Sequence, residues 1–343
     1  MAEPILEIRD LTVEFGTEDG VVKAVTGVSY DLHPGEVLGI VGESGSGKSV
    51  SMLSVLGLIP MPPGRITAGE ALYKGKDLVK MRKNELRQLR GGEMAMIFQD
   101  PMTSLNPVFT IGDQISEALL THNEDMKEDA ARARTIELLE SVGVPFAERR
   151  VDQYPHEFSG GMRQRAMIAM AMANNPSVLI ADEPTTALDV TIQAQIVEVI
   201  KAAQEHTHAA IILITHDLGL IAELADRVVV MYAGRVVELG DVYTIFDSPR
   251  HPYTIGLMSS IARVDMDKDR LVPIPGQPPS LISLPPGCAF HPRCTHSNGR
   301  AICRTDIPAL RAAEGAGDHR SACHFAEELA GVRDPVVTAG GGS

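Results

Sequence analysis

The sequence predicts an α/β fold, a largely parallel sheet with helices on both faces, carrying a helical insertion and a small cysteine-rich C-terminal module. Three observations predict it. Short apolar runs alternate with helical patterns between Val37 and Met231, the pattern of a parallel sheet. Between Asn84 and about Met172 the spacing turns helical and charged. Beyond about residue 250, prolines and then all four cysteines crowd together.

Each element follows in order. Ile5–Phe15 alternates as a strand does, and Val21–Leu32 is a second strand-like segment ending at the His33-Pro34-Gly35 turn. Val37–Val41 is a short apolar run that leads into the glycine-rich stretch Gly42–Gly47, after which Ser49–Gly57 reads as a helix. Gly69–Leu78 reads as a strand and turn. Ile111–Leu120 and Lys127–Val142 carry helical spacing with Glu128, Arg132 and Glu137 interleaved. Strand-like runs return at Val178–Ala181, Ile211–Thr215 and Arg227–Met231, with the helical Ile192–Gln204 between the first two. Pro273, Pro275, Pro278, Pro279, Pro285, Pro286 and Pro292 predict an extended segment, since proline breaks helix and sheet alike. The domains expected are 1–250, with a helical subdomain at about 92–172, and 251–339. Gly340–Ser343 (GGGS) reads as an artificial linker.

Composition excludes several classes. Of 343 residues, 44% are hydrophobic, which supplies a core and excludes global disorder. The 45 acidic and 31 basic residues leave a net charge of −14, which argues against nucleic acid as the main partner. No stretch approaches the ~18 apolar residues of a membrane span; the longest run is Ala166–Ala173. Met1–Asp10 has no basic region followed by an apolar one, so no signal peptide is expected. The expectation is a cytoplasmic chain that reaches a membrane through partners.

Gly42-Glu43-Ser44-Gly45-Ser46-Gly47-Lys48-Ser49 fits G-x-x-x-x-G-K-[ST], placed after an apolar strand and before a helix. Such glycines let backbone amides turn inward on a phosphate, and the following helix N-terminus adds positive potential. Lys48 can reach β- and γ-phosphates, and Ser49 can ligate Mg²⁺. No internal repeat is visible, so the chain carries one nucleotide-binding unit. Val178–Ala181 ends in Asp182-Glu183, where Asp182 is placed to hold Mg²⁺ and Glu183 to act as general base on the attacking water. His216 ends a third apolar strand, and a γ-phosphate contact suits it. Gln99, after Met94–Phe98, is a neutral group able to ligate Mg²⁺ or orient water. Phe158-Ser159-Gly160-Gly161-Met162-Arg163-Gln164-Arg165 precedes the helix Ala166–Ala173. Its serine hydroxyl and glycine amides suit a second anion site facing another subunit's nucleotide, or an ordinary N-cap and turn.

In this set and order the sequence resembles the ATP-binding-cassette (ABC) ATPases over residues 5–245. The resemblance makes 42–49 the Walker A loop, Gln99 the Q-loop residue and 158–162 the signature. It makes 178–183 Walker B, Ala187-Leu188-Asp189 the D-loop and His216 the switch histidine. Phe15 sits where the family stacks an aromatic ring on adenine. The commonest signature is LSGGQ; this chain has Phe158 for Leu and Met162 for Gln, and keeps Ser159, Gly160 and Gly161. Three further features resemble the D-type ATPase subunit of dipeptide/oligopeptide importers: Gln99–Pro107, the FSGGMRQR form of the signature, and the extension opening at Arg250-His251-Pro252-Tyr253-Thr254.

The cysteines stand as Cys288-x5-Cys294-x8-Cys303-x19-Cys323. In a reducing compartment such a cluster favours a metal site over disulfides. No C-x2-C knuckle is present, so a zinc finger fits poorly. Four thiolates suit a [4Fe–4S] cluster, which the similar importer subunits carry here; zinc and four reduced thiols are the alternatives. His291, His296, His319 and His324 lie nearby and could replace a ligand, but read better as surface residues. The resemblance implies an ATPase of two cassettes meeting head to tail on the cytoplasmic face of the inner membrane, and favours a related F-type subunit over a second copy of this chain as the other cassette. It implies two permease subunits and an extracytoplasmic peptide-binding protein. Ser159, Gly160 and Gly161 would serve the partner's ATP. Lys48, Ser49, Gln99, Asp182, Glu183 and His216 would serve this subunit's own. The role expected is ATP-driven import of di- or oligopeptides, with nickel or glutathione as other cargoes. A soluble non-transport ABC ATPase and an iron–sulfur regulator are competing classes.

Overall fold

The computed structural model describes residues 3–186, 189–259, 273–313 and 317–332. In chain order the strands are β1 (Leu6–Thr17), β2 (Gly20–Leu32), β3 (Val37–Val41), β4 (Gly64–Tyr73), β5 (Lys76–Asp77), β6 (Met94–Ile97), β7 (Val178–Asp182), β8 (Ala210–Ile214), β9 (Arg227–Tyr232), β10 (Arg235–Asp241), β11 (Arg311–Ala312) and β12 (Arg320–Ser321). The helices are α1 (Lys48–Val55), α2 (Lys83–Leu89), α3 (Pro101–Ser104), α4 (Ile111–His122), α5 (Glu128–Ser141), α6 (Ala147–Arg150), α7 (Gly160–Met172), α8 (Val190–Thr207), α9 (Leu218–Leu224), α10 (Val242–Asp247), α11 (Pro252–Ser259) and α12 (Ile302–Thr305). The chain divides into two compact units.

The first unit comprises Met1–Ile5, Leu32–Val37 and Lys80–Ile214. Its strands run parallel in the order β8-β7-β6, with Leu179 opposite Ile211 on one side and Ala95 on the other. Every residue of β7 and β8 is buried, which is why both read as unbroken apolar runs rather than alternating ones. Helices α2 to α8 complete the unit. Thr110 opens α4 by accepting the Asp113 amide, while the Asp113 carboxylate returns to the Thr110 N–H. The insertion expected at about 92–172 is helical apart from β6, which joins the sheet.

The second unit comprises Leu6–Asp31, Leu38–Val79 and Thr215–Ser343. One sheet has the order β2-β1-β4-β5, with β4 antiparallel to β1 and to β5. The expectation of a largely parallel sheet did not anticipate it. The other strands follow the order β11-β12-β10-β9-β3, in which β3 and β9 are parallel while β9, β10, β12 and β11 pair antiparallel. Residues 273–290 form bends and turns without helix or strand, as their prolines require. Among the described residues no helix is long and apolar enough to cross a membrane.

Candidate nucleotide site and cysteine cavity

The phosphate loop lies in the second unit, between β3 and α1. Gly42 is needed there twice over. Its φ is +152°, and a Cβ would collide with the Met231 carbonyl oxygen and crowd Ser46 Oγ. Gly45 and Gly47 also have positive φ. Lys48 is 5% exposed, and its Nζ donates to the carbonyls of Gly42 (2.8 Å) and Glu43 (3.1 Å). The lysine is thus folded over the loop it would share with phosphate. Ser46 Oγ is buried and makes no hydrogen bond, so one donor aimed into the loop awaits an acceptor. Ser44 and Gly45 are exposed, Ser49 half-buried. These features fit a phosphate ligand, and Ser49 supplies the hard oxygen that Mg²⁺ prefers. Phe15 is half-buried near the end of β1, opposite Gly64. His216 is exposed, beside Asp217, whose carboxylate caps α9 through the Gly219 and Leu220 amides.

The first unit holds the carboxylates. Asp182 ends β7 and is 5% exposed. Glu183 follows with φ +47°, in the left-handed region that non-glycine residues seldom adopt. Gln99 Nε2 donates to Glu183 Oε2 at 3.0 Å, and Thr186 Oγ1 donates to the same oxygen at 2.8 Å. The Q-loop residue and the expected base therefore meet directly. Thr186 is a partner that sequence reasoning did not single out, because a Thr after a turn carries no signal of its own.

The signature also lies in this unit. Ser159 is the N-cap of α7 and accepts the Met162 amide at 3.3 Å. The helix starts at Gly160, earlier than the apolar run from Ala166 suggested. Ser159 and Gly160 are exposed, and a Cβ on Gly161 would meet Ile192 Cγ2 at 2.9 Å. Phe158, the residue in place of Leu, is 2% exposed and keeps the apolar role of that position. Asp189 is the N-cap of α8, while Ala187 and Leu188 of the expected D-loop lie outside the described residues.

Back in the second unit, Cys288, Cys294, Cys303 and Cys323 all line one cavity of about 110 Å³, with Phe290, Phe325 and Arg300 among its walls. No disulfide joins them. Burial pushes all four thiols above their ordinary pKa, Cys294 up to about 11 and Cys323 to about 12, while Arg300 works the other way on Cys303. Among the described residues no three His, Cys, Asp or Glu side chains form a group able to hold a metal ion. His291, His296 and His324 border the cavity. His319, expected on the surface, is 1% exposed, and its Nε2 donates to buried Glu238 at 2.7 Å. That carboxylate also takes the Arg250 and His251 amides, so a charged strand residue needed the histidine inside.

Residues 25–186 match the ABC transporter family, and 237–303 match the oligopeptide/dipeptide transporter C-terminal region. The dipeptide transport ATP-binding protein DppD of Bacillus subtilis is 53% identical over 89% of this chain and 90% of its own length. The protein of that name from Escherichia coli is 50% identical over 95% of this chain and 98% of its own. The chain belongs to this ABC transporter family. Solved cassettes agree. A dimeric post-hydrolysis cassette bound to ADP and Pi superposes with a TM-score of 0.62 at 26% identity, covering 69% of this chain and 98% of that one. The match to the C-terminal region stops at Cys303, so Cys323 and its cavity wall lie beyond it.

Proposed function

We propose that this chain is the ATP-hydrolysing subunit that powers import of di- or oligopeptides through a membrane ABC transporter. The observation that carries the reading is identity of 50–53% over 89–95% of the chain to named dipeptide transport ATP-binding proteins. The Glu183 cradle and the phosphate loop supply matching chemistry. Lys48 and the loop amides bind the phosphates; Ser49, Asp182 and Gln99 would hold Mg²⁺, which would supply positive charge to the transferred phosphoryl group. Glu183 takes a proton from the attacking water, held in place by Gln99 and Thr186. His216 contacts the γ-phosphate, and Phe15 stacks on adenine. Asp189 belongs to the D-loop. Ser159, Gly160 and Gly161 serve the ATP of a second cassette, an F-type relative. Two permease subunits and an extracytoplasmic peptide-binding protein complete the transporter, with this chain peripheral on the cytoplasmic face of the membrane.

Cys288, Cys294, Cys303 and Cys323 would hold a [4Fe–4S] cluster, whose role is to cross-link a segment with little core of its own. The support is that four thiols line a single cavity. Zinc is the alternative occupant, needing four sulfurs about 2.3 Å from one point; the described residues show no ready-made group for a metal ion of either kind.

The test is co-expression with the permease subunits and reconstitution in vesicles. ATP-dependent uptake of a labelled dipeptide, competed by unlabelled dipeptide but not by nickel or glutathione, is expected. Uptake of nickel or glutathione alone would move the cargo, and failure to copurify with membrane subunits would overturn the transport role.

A further inference from the structure

We infer that Arg293 is a positioning residue for the phosphate loop, so that the cysteine-bearing segment helps to set nucleotide affinity. The inference rests on the ATPase reading. Arg293 closes the short helix His291–Arg293, immediately before Cys294. Its side chain is 5% exposed and forms a two-pronged ion pair with Glu43, Nη1 to Oε2 at 2.6 Å and Nη2 to Oε1 at 3.0 Å. Glu43 is the second residue of the phosphate loop. Its N–H donates to Tyr253 Oη at 2.8 Å, and its carbonyl accepts from Lys48 Nζ at 3.1 Å. C-terminal groups therefore grip one loop residue at carboxylate and amide, while its carbonyl seats the phosphate lysine.

The grip is itself held. Arg293 Nε donates to the Pro275 carbonyl at 2.9 Å, and Nη1 lies 3.4 Å from Tyr232 Oη. The guanidinium stands 5.8 Å from the Tyr232 ring centre and 5.9 Å from that of Phe290. Phe290 packs on Tyr232 and Tyr253 at 5.2 and 5.4 Å and forms part of the cysteine cavity wall. A bidentate arginine–carboxylate pair fixes direction as well as distance. Without it, Glu43 would be an uncompensated carboxylate in a loop built for a polyanion, and it would repel the incoming phosphates.

The experiment uses the assembled transporter with R293A, R293K, E43Q and E43Q/R293A, measuring KM and kcat for ATP and binding of a fluorescent ATP analogue. R293A should raise KM about tenfold with kcat within about twofold. E43Q/R293A should recover most of that affinity, because the repelling charge is gone. R293K should fall between, since lysine keeps the charge and loses the fork. A wild-type KM in R293A overturns the inference, as does a defect that E43Q leaves unrelieved. Should R293A fail to assemble, R293K decides: a KM equal to wild type overturns the inference. A wild-type complex that binds no ATP overturns the ATPase reading, and the inference with it.

Discussion

At Glu183 one carboxylate oxygen takes two hydrogen bonds, from Gln99 and from Thr186. Glu183→Gln keeps an amide oxygen able to accept both, so the cradle survives while the proton acceptor is lost. ATP turnover in the assembled complex should fall by about 10²–10⁴, with nucleotide binding unchanged. Steady-state ATPase and equilibrium binding on one preparation check it; turnover near wild type would remove Glu183 from the base role. Lys48, Ser49, Gln99, Asp182 and Glu183 could be singled out as candidates because their motifs are local in sequence. The meeting of Gln99 with Glu183 was not, since it joins residues 84 apart. Burial of His319 was equally hidden, because its reason is Glu238, a charge inside a strand whose pattern gave no sign of it.

At the scale of elements, β3, β7 and β8 were readable to within a residue or so because buried parallel strands are short unbroken apolar runs. The β2-β1-β4-β5 sheet was not, because strand pairing depends on distant partners and β4 is largely exposed along its middle. Helix α11 escaped for a different reason. Pro252, Tyr253, Thr254, Ile255, Gly256 and Met258 are all buried, so no polar face marks its period. Its start carries a pH prediction. The Tyr253 N–H donates to His251 Nδ1 at 3.1 Å, and burial pushes the His251 pKa down to about 3. An unfolded histidine titrates near ~6.5. Between those values the unfolded chain binds a proton that the folded chain does not, so stability falls as pH drops through the window. At pH 5 the cost is about 2 kcal/mol. The melting temperature should therefore fall between pH 7.5 and 5, and fall less in His251→Asn, whose amide oxygen can accept the same N–H without titrating. Equal falls in both proteins would show that other groups set the acid limit.

At the scale of the molecule, the cysteine spacing already put four thiols forward as ligands of one group, and all four line one cavity. The Glu43–Arg293 pair was not legible, because its members stand 250 residues apart. The cavity makes a prediction of its own. Burial holds the thiols protonated at neutral pH, with Cys294 at about 11 and Cys323 at about 12. Metal ligation needs thiolates, so loading must release those protons and strengthens as pH rises. Chain purified without oxygen should show a broad visible absorption band and about four irons with sulfide. After chelation, anaerobic reconstitution should restore more iron at pH 8.5 than at pH 6.5, because fewer protons then compete for the sulfurs. Serine in place of Cys303 should lower the iron retained at both values. Stoichiometric zinc without sulfide would replace the cluster by a single-ion site and require the thiols to draw together. Loading that ignores pH would mean that the cysteines are not the ligands, and the cavity would then be a packing gap under the C-terminal segment.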